Sequence, residues 1–399
     1  MFVAKAFQRP DIPRARQEAE ALLDAGYPVY VLAWDRNAEF PARENVAGAM
    51  VLSFTPLNLR RFSRLRLALG GLLFQIVLFF EAIRLISEIR QRPIIHAHDI
   101  NTLVLGYLLR AVRLSHALVY DCREFTYGLY YEWYNLFVAC ILRVVEQICL
   151  RHVDAVITVS DPIATYLRRF NPVTRVIYNC PRAKDVPRLT KSDARMRLRL
   201  PEKAFVVSSV GTIRYDCRFD LLLAVASLTK SEDVYYVVVG EGPLASELRQ
   251  TARQKNCTSL GVFPRVPRET ALTYIIASDL TWAVYQNRAE SFNPRMTIPW
   301  KFFESLACGV PLIVDAGTFR AQLVRQLGCG LVLESDDPKD VARMILSLAK
   351  YPASHEKLCA EARHASTSMN FNWEAMATRL IEVYMQLERH EPGPRIRLN

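Results

Sequence analysis

Pro299-Trp300-Lys301-Phe302-Phe303-Glu304-Ser305-Leu306-Ala307-Cys308-Gly309-Val310-Pro311-Leu312-Ile313-Val314 places a proline entry, a helix-length run, a glycine stop and a short apolar run in immediate succession. Proline is tolerated in a first helical turn, Gly309 suits a left-handed C-cap, and Pro311 stops the helix before Leu312. The stretch therefore predicts a helix that turns directly into a buried strand. Lys301 and Glu304 lie three apart and share one helix face. Near a helix N-terminus, free backbone N–H groups and the dipole add to the positive potential of Lys301, which suits a diphosphate. The carboxylate of Glu304 can accept hydrogen bonds from sugar hydroxyls. Taken alone, the residues equally admit a solvated i,i+3 pair at an ordinary helix–strand junction.

Working outward, the second half repeats this strand–helix rhythm. Apolar, β-branched runs at 205–210, 234–239, 280–285, 312–314 and 330–333 read as strands, and residues 373–387 carry apolar positions at helical spacing. The first half does the same at 1–6, 29–33, 49–54, 94–99, 119–124 and 155–160, with a helix expected over 14–25. Three of these strands end in polar groups: His96-Ala97-His98-Asp99, Asp121-Cys122-Arg123-Glu124 and Thr158-Val159-Ser160. Parallel α/β sheets bind ligands beyond the carboxyl ends of their strands, so these three ends are expected to line one cleft. The proline-containing polar stretch 179–201 is the expected boundary. It gives domains 1–183 and 184–371, with residues 372–399 forming a helix that crosses back to the first domain and a polar tail.

Length and composition agree with that division. A chain of 399 residues exceeds one ordinary core and suits two domains, and 51% apolar with 23% charged residues marks it as globular. Nine cysteines are scattered without a Cys-x2-Cys pair, so neither a zinc site nor a disulfide framework follows. With no basic-then-apolar leader at the start, the expected setting is cytoplasmic. A formal charge of +11, spread over both halves, favours anionic partners such as sugar-nucleotide phosphates or acidic lipid. Nucleic acid is not expected, because no helix-turn-helix, zinc-finger or RNA-binding signature accompanies the charge.

The segment Pro299, Lys301, Glu304, Ala307, Gly309, Pro311 resembles, residue for residue, the P-x-K-x-x-E-x-x-A-x-G-x-P donor segment of the retaining GT-B glycosyltransferases of the family-4 type. The resemblance extends over nearly the whole chain. It implies an α/β fold of two Rossmann-like, doubly wound domains facing a cleft. The implied donor is a nucleotide-diphosphate sugar, held without a cofactor or bound metal. By the same resemblance Glu304 sits at the nucleotide ribose, Arg214 and Arg218 clamp the diphosphate, and Val266 meets the base through its backbone. Thr212 stands where the family commonly has arginine. Met296 stands where many members carry a sugar-binding glutamate, leaving Glu290, Ser291 and Asn293 as candidate replacements.

In the first half the resemblance places His98, with Asp99 beside it, close to the transferred sugar. The residues alone also allow His96 and His98, on the same side of a strand, to hold a metal with Asp99 as third ligand. Tyr120-Asp121-Cys122-Arg123-Glu124 is similar to the family's Y-D-x-H-E, with arginine in the histidine position. Arginine does not serve as a base near neutral pH, so Arg123 is expected to bind an acceptor phosphate, and Glu124 to orient the acceptor hydroxyl or Arg123 itself. Residues 7–14 resemble the family's D-x-R segment and make Arg14 a second acceptor-binding candidate.

Arg60, Arg61, Arg64 and Arg66 run into the apolar stretch 67–80, which is shorter than the ~20 residues a spanning helix needs. It is expected to be either a surface for anionic membrane, making the protein peripheral on the inner face of the cell membrane, or a crossover helix of the first domain. The expected activity is retaining transfer of a hexosyl unit to a lipid-linked or cell-surface glycan. Alternatives are a non-catalytic GT-B subunit binding sugar-nucleotide or a partner enzyme, and a sugar-nucleotide epimerase of the same fold.

Overall fold

The computed structural model describes residues 2–3, 13–35, 38–55, 64–254, 257–286 and 292–389. The chain forms two compact units, Met1–Ile177 with Ala377–Asn399, and Tyr178–Met376.

In the first unit β1 (Phe2–Val3), α1 (Pro13–Asp24), β2 (Tyr30–Trp34), β3 (Arg43–Val46), β4 (Ala49–Phe54) and α2 (Arg64–Ile89) come first. They are followed by β5 (Ile94–His98), α3 (Asp99–Ala111), β6 (Ala117–Cys122), α4 (Thr126–Trp133), α5 (Leu136–Leu150), β7 (Ala155–Thr158), α6 (Asp161–Leu167) and β8 (Thr174–Val176). Among the described residues the strand order is β3-β4-β2-β1-β5-β6-β7-β8, with every pair parallel except β3–β4. Strands buried on both faces need continuous apolar runs, and β6 and β7 are buried at every position. The segment 67–80 lies in α2, the crossover from β4 to β5. Its later turns bury Leu78, Ala82, Leu85 and Ile86 at helical spacing. Arg60 and Arg61 lie outside the described residues, as do the side chains of Arg64 and Arg66.

The second unit runs through α7 (Lys191–Leu198), β9 (Phe205–Val210), α8 (Phe219–Leu228), β10 (Val234–Val239), α9 (Ala245–Gln254), β11 (Leu260–Phe263), α10 (Arg268–Ile276) and β12 (Leu280–Ala283). Next come α11 (Phe292–Met296), α12 (Trp300–Ala307), β13 (Leu312–Asp315), α13 (Phe319–Leu327), β14 (Gly330–Leu333), α14 (Pro338–Lys350), α15 (Pro352–Thr367) and α16 (Trp373–Arg389). Its parallel sheet has the order β11-β10-β9-β12-β13-β14. At the end of α12, Gly309 adopts φ 69°, and a Cβ there would come within 2.6 Å of Arg363 Cγ. The left-handed turn and the close approach both call for glycine.

Two features depart from the sequence reading. The edge strand β3, Arg-Glu-Asn-Val, is polar and half exposed, and it pairs with β4 only because Ala47 and Gly48 turn the chain with positive φ. The stretch 179–201, expected to be a boundary, contains α7, opened by a Thr190–Asp193 capping box. Arg195 then ties α7 to the sheet through Ala277 O at 2.9 Å and Asp279. The last helix leaves the second unit at Met376, and its outer half belongs to the first unit. There Tyr384 meets Tyr27 and His96, and His116 Nε2 lies 3.1 Å from Leu387 O.

Candidate functional site

In the first unit the polar ends of β5 and β6 build one buried cluster with α1. Alternation along β5 sends His96 and His98 to the same side, where their rings stack 4.6 Å apart. His98 Nδ1 lies 3.0 Å from Asp121 Oδ2, and His96 Nδ1 lies 2.8 Å from the Tyr384 hydroxyl. From α1, Arg14 forks onto Asp121 through Nε and Nη2 at 3.0 and 2.9 Å, and donates from Nη1 to Ile177 O at 2.7 Å. Its Nε also lies 2.9 Å from Glu18 Oε1, while Glu18 Oε2 stands 3.8 Å from Nε2 of both histidines.

The sequence placed Arg14 at the acceptor. Here the side chain is buried and its guanidinium is engaged by Asp121, Glu18 and Ile177, so its task is to hold this cluster together. Asp99, considered beside the two histidines as a metal ligand, points to a different partner. It opens α3 with φ 58° and forms a forked ion pair with Arg123. The carboxylates that do face the histidines are Glu18 and Asp121, and the ligand atoms of these four residues lie within 4.8 Å of one another. That spacing could hold a metal ion. Arg14 already places a fixed positive charge on both carboxylates, which a metal would have to displace.

Burial and charge distribute the protons. Burial raises Glu18, pushing it up to about 8 against the opposing pull of Arg14. Asp121 is also buried, yet Arg14 and the His98 hydrogen bond outweigh that and hold it far below the ordinary carboxylate range. Burial keeps both imidazoles neutral, His96 more strongly than His98, whose bond to Asp121 opposes the effect. In the arrangement these shifts describe, Glu18 carries the proton, Asp121 the charge, and His98 Nδ1–H donates to Asp121.

A stability profile follows. Glu18 ionises near 4.5 when unfolded and near 8 when folded, so the folded state holds the extra proton between these values. Stability contributed there declines as pH rises, by at most about 1.4 kcal/mol per pH unit. The histidines act oppositely, since unfolded imidazoles take up protons below their ordinary value of 6.5 that the folded ones refuse. Asp121 adds a further loss in acid, as pH falls below its ordinary 3.8. Thermal melts across pH should therefore show a maximum near neutrality. Glu18→Gln, which cannot ionise, should flatten the alkaline limb while leaving the acid limb. An unaltered alkaline limb in that variant would show that Glu18 is already ionised at neutral pH.

In the second unit the polar groups gather where β9 ends and α12 begins. Lys301 is buried; its Nζ donates to Ser209 Oγ at 3.1 Å and lies 5.6 Å above the ring of Tyr285. A Cβ on Gly211 would meet Lys301 Cε at 3.8 Å, so the lysine stem runs directly along this glycine loop. Among the described residues no carboxylate lies within ion-pair distance of the Lys301 ammonium. Burial raises the Tyr285 hydroxyl, whereas Lys301, Arg320 and Arg214, in that order among the cations, pull it down. Lys301 and Arg320 lie 5.6 and 4.8 Å from the centre of that ring.

Gly240-Glu241-Gly242-Pro243, which follows β10, braces the Gly211 loop. At Gly240, with φ 150°, a Cβ would lie 1.8 Å from Gly211 O, and Ile213 N donates to Glu241 O at 3.0 Å. No side chain fits between the two backbones.

The two arginines of the loop differ. Arg214 is exposed and forks onto Asp216 at 3.0 and 2.8 Å. Arg218, left-handed at φ 45°, is tied to Asp220 and to Asp336 at 3.2 and 2.8 Å. Glu304 is paired with Arg268 at 2.8 Å, and burial raises its carboxyl against that pull. Arg268 also lies 5.5 Å over the Trp300 ring, a partnership with no local sequence signal. Val266 is half-buried, and Asn293 is buried in α11. Glu290 and Ser291 lie outside the described residues.

Two parallel-sheet units, each with its polar residues at strand C-terminal ends, define the GT-B class. The glycosyl transferase 4-like domain matches residues 12–180 and the glycosyl transferases group 1 domain matches residues 190–365. The chain belongs to the GT-B glycosyltransferases of the family-4 type. A D-inositol 3-phosphate glycosyltransferase of Thermomonospora curvata is 32% identical over 204 residues, covering 48% of this chain and 45% of that protein. The chain spans about half the length of the curated relatives it matches. Sucrose-phosphate synthase from Thermosynechococcus elongatus superposes with a TM-score of 0.78 at 21% identity, covering 97% of this chain and 98% of that one. HepE of Anabaena, solved in complex with UDP-glucose, gives 0.69 at 16% identity, covering 96% and 98%.

Proposed function

We propose that the protein transfers a hexosyl unit from a nucleotide-diphosphate sugar to a hydroxyl acceptor with retention of configuration, without a bound metal. The observation that carries this reading is Lys301, a buried ammonium at the start of α12 with hydroxyl and ring partners but no carboxylate among the described residues. Burying an unmatched charge is costly, and an anionic ligand offsets that cost. The helix N-terminus adds its own positive end. Lys301 with Arg214 or Arg218 would neutralise the departing diphosphate, and such preorganised charge supplies much of the catalysis in reactions that expel an anion. Arg214 is the more accessible of the two arginines, needing only to exchange Asp216 for a phosphate. Glu304 would leave Arg268 for the ribose, with Asn293 and Val266 alongside the sugar and base.

On the acceptor side, Asp99, Arg123 and Glu124 are partly exposed and accessible to a substrate, whereas the side chain of His98 is 1% exposed. His98 therefore acts as a positioning residue for the strand end that carries Asp99, through its bond to Asp121. His98→Ala should lower kcat by about tenfold or more while changing the donor KM less than about twofold, as expected when a residue that positions the reacting groups is lost and donor binding is not. His98→Asn, which keeps a donor near the Nδ1 position, should recover much of the loss. Equal rates for wild type and His98→Ala would remove His98 from the reaction.

The proposed acceptor is a lipid-linked or cell-surface glycan, with the enzyme peripheral on the inner face of the membrane. No helix among the described residues is long and apolar enough to cross a bilayer. The reading as a whole is tested by a thermal-shift panel of UDP-, GDP- and dTDP-sugars followed by a transfer assay with the stabilising donor. Stabilisation by none of them would reject it.

A further inference from the structure

The helices α2, α3 and α5, which pack side by side, present apolar residues where a soluble helix presents charges. On α5 the outward positions Phe137, Ile141, Val144 and Ile148 follow helical spacing, and Phe137 is 74% exposed. The inward face of the same helix holds Glu146, which accepts from Tyr120 and Thr126 hydroxyls at 2.6 and 2.5 Å. This helix is therefore oriented with a carboxylate inside and an apolar stripe outside, and the Glu146 bonds fix that orientation. On α3 and its C-cap the exposed residues Val104, Leu108 and Val112 form a second stripe, and α2 carries exposed Ile76 and Phe80.

We propose that this face docks on an anionic lipid bilayer, an inference that rests on the peripheral reading above and gives it a surface, but does not depend on the transfer reaction. Two observations select lipid as the occupant. The first is charge: the exposed charged groups on α3, α5 and the turns that follow them are Arg113, Arg143 and Arg151, beside the exposed imidazole of His152; Glu132 of α4 is the acidic neighbour, and on α2 the exposed Arg84 and Glu88 pair with each other. Basic residues beside an apolar face are drawn to acidic headgroups. The second is the aromatic cluster at the α4–α5 turn, where Trp133 is 69% exposed beside exposed Tyr134 and Phe137. Tryptophan and tyrosine concentrate at the boundary between headgroups and acyl chains.

Cys140, the exposed member of the nine cysteines, sits on the same side of α5 and provides a native probe. The full chain, labelled at Cys140 with an environment-sensitive fluorophore, should shift to the blue with phosphatidylcholine vesicles containing phosphatidylglycerol and much less with phosphatidylcholine alone. Replacing Phe137, Ile141, Val144 and Ile148 with Gln should weaken sedimentation with the anionic vesicles by about tenfold or more, since each loses apolar area that the bilayer would bury. Replacing Arg113, Arg143 and Arg151 with Gln should remove most of the salt dependence. Melting temperature and nucleotide-sugar binding should be retained in both variants, because the altered side chains are exposed and lie outside the donor site. The proposal is overturned if wild type ignores anionic vesicles, or if the glutamine variant of α5 binds them as well as wild type. It is equally overturned if wild type is a dimer in lipid-free solution that the α5 variant dissolves, since the face would then be covered by a second copy.

Discussion

Lys301→Met should reduce affinity for a nucleoside diphosphate by about tenfold to a hundredfold, as expected when one charge-assisted hydrogen bond of roughly 1.5–3 kcal/mol is lost. The same variant should melt no lower than wild type in the absence of ligand. Its side chain keeps the volume that packs along Gly211 and under Tyr285, and it removes a buried ammonium whose described partners are a hydroxyl and a ring. Opposite signs for binding and stability distinguish a ligand-holding lysine from a structural one. Calorimetry with the free nucleotide decides the first and a thermal melt the second; unchanged affinity would move the diphosphate site elsewhere.

Asp121→Ala should be the most damaging single change in the first unit. The carboxylate is fully buried and receives both arms of Arg14 together with His98 Nδ1. Removing it strands a guanidinium among neutral imidazoles and a largely protonated Glu18. Breaking one side of a buried ion pair typically costs about 3–5 kcal/mol. For a unit of this size the loss corresponds to a fall in Tm on the order of 10 °C. Glu18 would recover part of it by ionising, so the deficit should shrink as pH is raised and the wild-type alkaline limb should flatten. A melt within about 2 °C of wild type at neutral pH would mean that the Arg14–Asp121 pair contributes no net stability.

These two residues show how differently the halves of the candidate site could be read. Lys301 and Glu304 belong to one helix turn, flanked by Pro299 and Gly309, and local spacing places them on a shared face without tertiary information. Asp121 occurs in a quoted strand end, yet its neighbours pointed to Arg123 and Glu124 as the functional groups. Strand alternation explains the difference. Asp121 faces the same buried side as His98 in the paired register, His98 opposite Asp121, while Arg123 follows past the strand end and reaches Asp99. Arg14 looked like an acceptor ligand because it opens a helix after the first strand; it turned inward because a buried carboxylate awaited it.

Local chemistry in the chain was enough to determine most of the alternating strands and helices, the glycine stops, the mainly parallel character of both sheets and the place of Lys301 at the start of its helix. These features depend on side-chain period, backbone restriction at proline and glycine, and continuous apolar runs, all of which act within a few residues. Tertiary structure decided which distant groups meet: Arg14 with Asp121 across 107 positions, Lys301 with Ser209 across 92, and His96 with Tyr384 across 288. It also decided the protonation of Glu18 and Asp121, two acidic groups that any local rule treats alike. A buried carboxylate keeps or loses its proton according to the charges packed against it, and those charges arrive from other elements of the fold.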